Sequence, residues 1–244
     1  MIAGVLLAAG AGRRMGTPKA LVDDWLVRSV EVLREGGCDE VLVVLGAAAE
    51  EARALLPGDQ RVVVAQDWDE GMGASLRVGL SGLSSEVEAA LVHLVDLPDV
   101  GSDVVARVVS TSSTTDSSTD SGVVGRVVST SSTTDSSTDS GVVGRVVSTS
   151  STTGSTTGST TGSTTGSTFG STTGSTFGST TGSSLARAAY RGVPGHPVLI
   201  GREHWAGVIE AAVGDQGARG YLGTHGVRLV ECGDLAGGHD VDRR

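Results

Sequence analysis

Between residues 4 and 22 the chain reads GVLLAAGAGRRMGTPKALV, and this stretch concentrates the groups best suited to hold a polyanion. Gly10, Gly12 and Gly16 let backbone N–H groups turn inward without Cβ clashes. Arg14 and Lys19, beside Arg13, add the cationic charge that several phosphates demand. Lys19 is the only lysine in a chain whose other basic residues counted with it are arginines, which suits a position calling for a compact point charge. The spacing departs from a dinucleotide fingerprint, because three residues, Arg13 to Met15, separate Gly12 from Gly16. The second predicted strand also ends in Gly46 where that fingerprint wants an acid, and no Gly-Lys-Ser/Thr P-loop is present. The stretch reads as a phosphate-binding turn, against a purely structural turn or a variant dinucleotide loop.

Other residues offer chemistry farther along. Asp96 ends an apolar run, 89–95 (AALVHLV), and precedes Leu97-Pro98. A carboxylate at the carboxyl end of a central strand is costly to bury without a cation. Magnesium bridging Asp96 to triphosphate oxygens would offset that cost and neutralise the attacked phosphate; a turn or helix cap before Pro98 is the alternative. His93 within that run reads as a satisfied core histidine. In 66–80 (QDWDEGMGASLRVGL), Gly71 and Gly73 make a flexible entry, and Ser75 is placed to cap a helix beginning at Leu76. Such a helix start suits an anion or a base edge, or it is an ordinary loop–helix junction. No Ser-His-Asp or Cys-His arrangement emerges. Cys38 and Cys232 fit no metal spacing and no disulfide framework, and read as thiols of a reducing compartment.

The elements that must position these groups alternate. An apolar first strand ends at the glycine loop, and 26–34 has helical apolar spacing closed by Gly36-Gly37. Residues 41–45 read as a buried strand, 47–56 as a helix stopped by Pro57-Gly58, and 62–65 as a third strand. A helix begins at 104–109, 186–190 is a strand, 202–213 a helix ended by Gly214, and 227–232 a last strand. Alternation of this kind predicts an α/β fold with one doubly wound, mostly parallel sheet, its ligands at the carboxyl ends of the strands.

A net charge of −10 argues against nucleic acid and anionic membranes as partners. The N-terminal apolar run is too short for a signal or membrane-spanning segment, so a cytoplasmic protein is expected. From 110 to 184 the chain is almost wholly Ser, Thr, Gly and Asp, which lowers the aromatic content to 3%. Successive repeats place Arg107, Arg126 and Arg145 in register before the pattern collapses to TTGS tetrads. Such units bury too little apolar surface to offset their ordering entropy, so a disordered insertion is expected, either an expanded coding repeat or a solvated linker. The expected organisation is one domain from 1–109 and 185–244, interrupted by 110–184.

The loop LAAGAGRRMGTPKAL resembles the signature of the nucleotidyltransferases that activate molybdopterin (MobA-like NTP transferases), especially the CTP:molybdopterin cytidylyltransferase branch. The guanylyltransferase branch reads LAGG where this chain has LAAG. Four further segments are similar in order: 68–80, with Trp68, Gly71, Ser75 and Leu76 matching; the Asp-x-Pro at Asp96; Gly192-Val-Pro-Gly-His196-Pro197-Val198; and Gly214-Asp-Gln-Gly217-Ala-Arg219. The closing Asp240-Val-Asp242 is similar to the family's Asp-hydrophobic-Asp, which relatives follow with Thr-Pro and another helix. The resemblance implies a GT-A-like sheet of the nucleotide-diphospho-sugar transferase type. It implies a nucleotide lined by Leu7, Ala8, Ala9, Gly10, Gly12, Gly71 and Ser75, with Arg14 and Lys19 on its phosphates. Mg²⁺ would be shared by Asp96 and Asp242, or Asp242 is an unpaired acidic end. His196 and Arg219 would face molybdopterin; a turn residue and a helix cap are their alternatives. The implied reaction moves CMP from CTP to the molybdopterin phosphate, for a downstream molybdoenzyme or chaperone. Also open are GTP as donor, another phosphorylated acceptor, a relative of the flavin-linked enzymes labelled nicotine blue oxidoreductase, and a nucleotide-binding shell without turnover.

Overall fold

The computed structural model describes residues 1–113 and 185–241. The repeat tract beyond its first residues, and Asp242, lie outside the described residues. Within them the strands are β1 (Ile2–Ala8), β2 (Glu40–Leu45), β3 (Arg61–Val64), β4 (Ala89–Leu94), β5 (Leu185–Tyr190), β6 (Val193–Gly201) and β7 (Arg228–Glu231). The α-helices are α1 (Trp25–Glu35), α2 (Ala49–Ala54), α3 (Met72–Ser81), α4 (Ser102–Val109), α5 (Trp205–Ala211) and α6 (Arg219–Thr224). The strands form one sheet in the order β3-β2-β1-β4-β6-β5-β7, in which β6 runs antiparallel to both neighbours and the other pairings are parallel. The expected doubly wound, mostly parallel α/β sheet is what forms.

The near-continuous apolar runs of β1, β2 and β4 are buried on both faces, as central parallel strands require. On one face Leu6, Val43, Leu91 and Leu199 pack with Leu26 and Leu33 of α1 and Val105 and Val108 of α4. On the other, Val5, Leu7, Val44 and Ile200 pack with Leu76 and Leu80 of α3 and Trp205 and Val208 of α5. Strand alternation alone decides which of two adjacent residues, such as Leu6 and Leu7, joins which layer.

Several local expectations change. Helix α3 starts at Met72 with Gly71 at its N-cap, so Ser75 is a buried residue inside the helix and caps nothing. Gly71 has φ +117°, and a Cβ there would come within 2.5 Å of the Gly214 carbonyl carbon. That close approach, rather than flexibility, is what its glycine serves. The 202–213 helix shortens to a 3-10 turn, Arg202–His204, followed by α5, because Ala212 is already extended. The alternative of a turn residue before Pro197 does not hold: His196 lies within β6. His93 is fully buried, but its Nδ1 has no hydrogen-bond partner among the described residues, so within them it is not the satisfied core histidine expected. Cys38 and Cys232 are unbridged and buried, as read from their spacing. Where the Ser/Thr-rich tract opens, Ser110 and Thr111 hydroxyls donate to the Arg107 and Val108 carbonyls at the end of α4. Among the described residues no helix is long and apolar enough to cross a membrane.

Candidate functional site

Register brings the first and fourth strands' ends together. Leu7 pairs with Leu94, and the Val95 N–H donates to the Leu7 carbonyl, so the chain after β4 emerges beside the chain after β1. Lys19 and Asp96, 77 positions apart, thereby meet: Lys19 Nζ lies 2.5 Å from Asp96 Oδ2, and both side chains are largely buried. A pair this enclosed adds little net stability while intact but is costly to split, since the survivor is left as a buried charge. The other carboxylate oxygen, Asp96 Oδ1, is buried with no hydrogen-bond partner among the described residues.

The loop over this pair is shaped by one carbonyl. Gly12 C=O accepts from the N–H groups of Met15 and Gly16, which closes the turn carrying Arg13 and Arg14. Gly12 itself has φ +60°, and a Cβ would fall 1.8 Å from the Thr17 carbonyl oxygen. No other residue fits that position. Arg14 stands exposed on the turn, and Lys19 opens the 3-10 turn Lys19–Leu21 behind it. Across the cleft, Trp68 packs on Gly46, where a Cβ would lie 2.7 Å from the indole Cγ. The Gly46 that breaks the dinucleotide pattern therefore makes room for an aromatic wall.

These parts enclose a cleft of about 330 Å³. Leu7, Ala8, Ala9, Gly10, Gly12 and Arg14 line it from the loop, and Lys19, Gly71, Ser75 and Asp96 complete it. His196 and Arg219 do not reach it. They line a second cleft of about 70 Å³, which shares Leu7, Met72 and Asp215 with the first. The segment carrying Asp215 is held on α3 by Arg77, whose Nη1 donates to the Ala212 carbonyl at 2.6 Å. Burial pushes His196 down to about 3 and His93 down to about 4, so both imidazoles are neutral at pH 7.

Whether these residues suit a divalent cation can be judged from the donors. Among the described residues no three His, Cys, Asp or Glu side chains converge on one point. Magnesium is commonly held by one or two carboxylates together with substrate phosphates, and a single buried, unpartnered carboxylate oxygen fits that mode. Near it, the Val241 N–H donates to the Asp96 carbonyl at 3.0 Å, so the last described residue runs alongside Asp96.

Sequence reasoning missed Arg187. It occupies β5, lines the second cleft, and gives Nε and Nη2 to the Gly195 carbonyl. The available signal was a lone arginine inside an apolar strand, LARAAY, where a buried cation needs a reason.

A family model described as the MobA-like NTP transferase domain matches residues 4–129, just over half of the chain. Nicotine blue oxidoreductase of Paenarthrobacter nicotinovorans is 42% identical over 115 residues, covering 44% of this chain and 55% of that one. The probable molybdenum cofactor guanylyltransferase of Rhodopirellula baltica is 33% identical over 112 residues, 43% of this chain and 53% of its own. The chain thus spans about half the length of these curated relatives. Among solved structures, Rv0371c of Mycobacterium tuberculosis superposes with a TM-score of 0.61 at 22% identity, over 99% of this chain and 93% of that one. The same mycobacterial protein in complex with manganese gives 0.57 at 20% identity, over 95% and 88%. At these identities the structures speak to the fold.

Proposed function

The chain belongs to the MobA-like NTP transferase family, and from that premise we propose that it moves CMP from CTP to the phosphate of molybdopterin or a similar small phosphorylated acceptor. The observation that carries the reading is the convergence of the Gly12 turn, Lys19 and the unpartnered Asp96 Oδ1 on one cleft. A triphosphate wants N–H groups and cations from one side and a metal-holding carboxylate from the other, and this reading assigns those roles to the 8–12 loop, Lys19 and Asp96.

In the proposed reaction an oxygen of the acceptor phosphate attacks the α-phosphorus of CTP. The bond from that phosphorus to the bridging oxygen of the β-phosphate breaks, and pyrophosphate leaves with the electron pair. No protein nucleophile is required, so the chain contributes orientation and charge. Backbone N–H groups of the 8–12 loop hold the phosphates, with Arg14 outside them. Lys19 follows charge onto the leaving pyrophosphate, the triphosphate replacing Asp96 as its partner. Trp68 and Ser75 bound the nucleoside end. Asp96, with Asp242, would hold Mg²⁺, which when bound supplies charge neutralisation at the phosphates. Manganese in the mycobacterial neighbour supports a divalent ion in this fold.

CTP is preferred to GTP on the LAAG and Gly-His-Pro-Val segments; the relative named as a guanylyltransferase keeps GTP as the competing donor. The relative named nicotine blue oxidoreductase gives a second reading, redox turnover of nicotine blue in the same cleft with an added nicotinamide or flavin as the electron carrier. We propose one nucleotidyltransferase domain from 1–109 and 185–244 with 110–184 inserted, acting in the cytoplasm on small molecules, with a downstream molybdoenzyme or chaperone receiving the product. The test is to incubate the chain with Mg²⁺, molybdopterin, and CTP or GTP, following pyrophosphate and the nucleotide-linked pterin. Acceptor-dependent pyrophosphate from CTP is expected. Release from GTP alone would make it a guanylyltransferase, nucleotide binding without release would make it a non-catalytic shell, and turnover of nicotine blue without pyrophosphate would favour the second reading.

A further inference from the structure

The segment after β7 crosses the end of the sheet as a strap, and its ties lead back to Asp96. It leaves the sheet where the Cys232 N–H donates to the Ala189 carbonyl, at 2.7 Å. Arg107 of α4 then grips Asp234 with both terminal nitrogens, at 2.5 and 2.9 Å. The N–H groups of Gly237 and Gly238 next donate to one oxygen, Asp99 Oδ2, each at 2.9 Å. Gly238 has φ +65°, and a Cβ there would fall 2.1 Å from the Tyr190 ring. That ring is itself fixed, because its hydroxyl donates to the His196 carbonyl at 2.6 Å. Only glycine lets the strap lie this close to it. Three residues on, the Val241 N–H donates to the Asp96 carbonyl at 3.0 Å.

The turn from Asp96 to Asp99 is thus tied to the strap at both ends, by the Asp96 carbonyl and by the Asp99 carboxylate. Between them Leu97 is buried, and the Val100 N–H closes the turn on the Leu97 carbonyl. Asp99 is exposed and lines neither cleft, so it touches nothing held in them. One carboxylate oxygen receiving two successive N–H groups is a charge-assisted arrangement, stronger than neutral bonds of the same length. Asp96 needs such support. Its carboxylate is largely enclosed, its Oδ1 has no hydrogen-bond partner among the described residues, and water outside would solvate it better. We propose that Asp99 is a positioning residue for Asp96. It docks the 237–241 strap, and the strap holds the Asp96 main chain so that its carboxylate stays on Lys19 in the nucleotide cleft. The consequence for transfer rests on the reading above; the coupling of Asp99 to Asp96 does not.

Because Lys19 is the only lysine, acetylation of ε-amines on the full chain reports one site, read by peptide mass spectrometry. The enclosed Lys19–Asp96 pair is expected to make wild type slow to react. Asp99→Ala should speed acetylation about tenfold, the factor for a local constraint worth one strong hydrogen bond. Val241→Pro, which removes the N–H donor to the Asp96 carbonyl and leaves Asp99 in place, should speed it likewise. Asp99→Asn keeps an acceptor oxygen and should react nearly as slowly as wild type. Val208→Ala opens a gap in the layer on the other face of the sheet; it should lower Tm and leave the rate unchanged. In the transfer assay, Asp99→Ala should lose activity by a similar factor and Asp99→Asn should recover it. Unchanged acetylation in Asp99→Ala or in Val241→Pro, or an equal rise in Val208→Ala, would overturn the positioning role. Wild type that transfers nothing would remove the transfer reading, while the acetylation rates would still decide whether Asp99 positions Asp96.

Discussion

The two clefts are built in opposite ways. The larger takes its cations from one contiguous loop, residues 8–19, closed on Asp96 just after the neighbouring strand and walled by Trp68, Gly71 and Ser75. Its main cation is already matched, Lys19 to Asp96, so its charge is balanced within the protein. The smaller draws Arg187, His196 and Arg219 from three different elements, and its arginines have no carboxylate partner among the described residues. A matched pair can exchange partners when a polyphosphate and a cation arrive together, whereas an unmatched pair of cations asks for an anion by itself. That contrast predicts that damage to one cleft leaves ligand binding in the other intact.

The largest effect belongs to Lys19→Ala, which removes a phosphate-facing cation and strands the Asp96 carboxylate. Transfer is expected to fall by about 10²–10³-fold, the range for loss of one preorganised donor, with acceptor binding in the smaller cleft unchanged. Gly12→Ala comes next: the left-handed backbone and the Thr17 oxygen cannot both accommodate a methyl group. Strain of ~1–3 kcal/mol should weaken nucleotide affinity by roughly 10- to 100-fold, read by nucleotide titration. Arg219→Met sharpens the comparison from the other side, raising the acceptor KM about tenfold with nucleotide affinity retained. Equal losses at both clefts in any of these variants would erase the distinction.

The smallest effect at neutral pH concerns two imidazoles, the fully buried His93 and the partly buried His196. His93 and His196 are held near 4 and 3 in the fold, while in the unfolded chain each titrates near 6.5. Below pH 6.5 the unfolded chain therefore binds protons that the native one refuses, so stability falls as pH drops and is level above that point. The slope should reach about 1.4 kcal/mol per pH unit for each histidine, ending near pH 4 for His93 and near pH 3 for His196. Urea midpoints at pH 7, 6 and 5 measure it, and His93→Leu should halve the slope. An unchanged slope in that variant would show that His93 is not the group responsible.

The larger cleft was legible because contiguous glycines and cations, and an acid closing an apolar run, are local signals. The sheet followed from the alternation of buried runs with amphipathic helices. Ser75 was misplaced because a glycine at a close backbone approach resembles a flexible entry, and a helix can begin on Gly71 without a side-chain cap. A turn stood as an alternative for His196 because Gly and Pro surround it, yet β6 tolerates both in the section beyond its pairing with β4. Arg187 stayed hidden because its partners, Gly195 and Arg219, are defined only by strand pairing and the path of α6. Chemistry within one loop can be read from spacing, and chemistry shared by three elements requires the fold.

Nucleotide binding in the larger cleft is measured by thermal stabilisation, with CTP, GTP and ATP, with and without Mg²⁺, on wild type and Lys19→Ala. At a hundredfold excess over Kd the account predicts about 2.7 kcal/mol from CTP, a Tm rise of roughly 5–10 °C, requiring Mg²⁺ and lost in the variant. Absent shifts, or equal shifts for all three nucleotides that persist in Lys19→Ala, would contradict it.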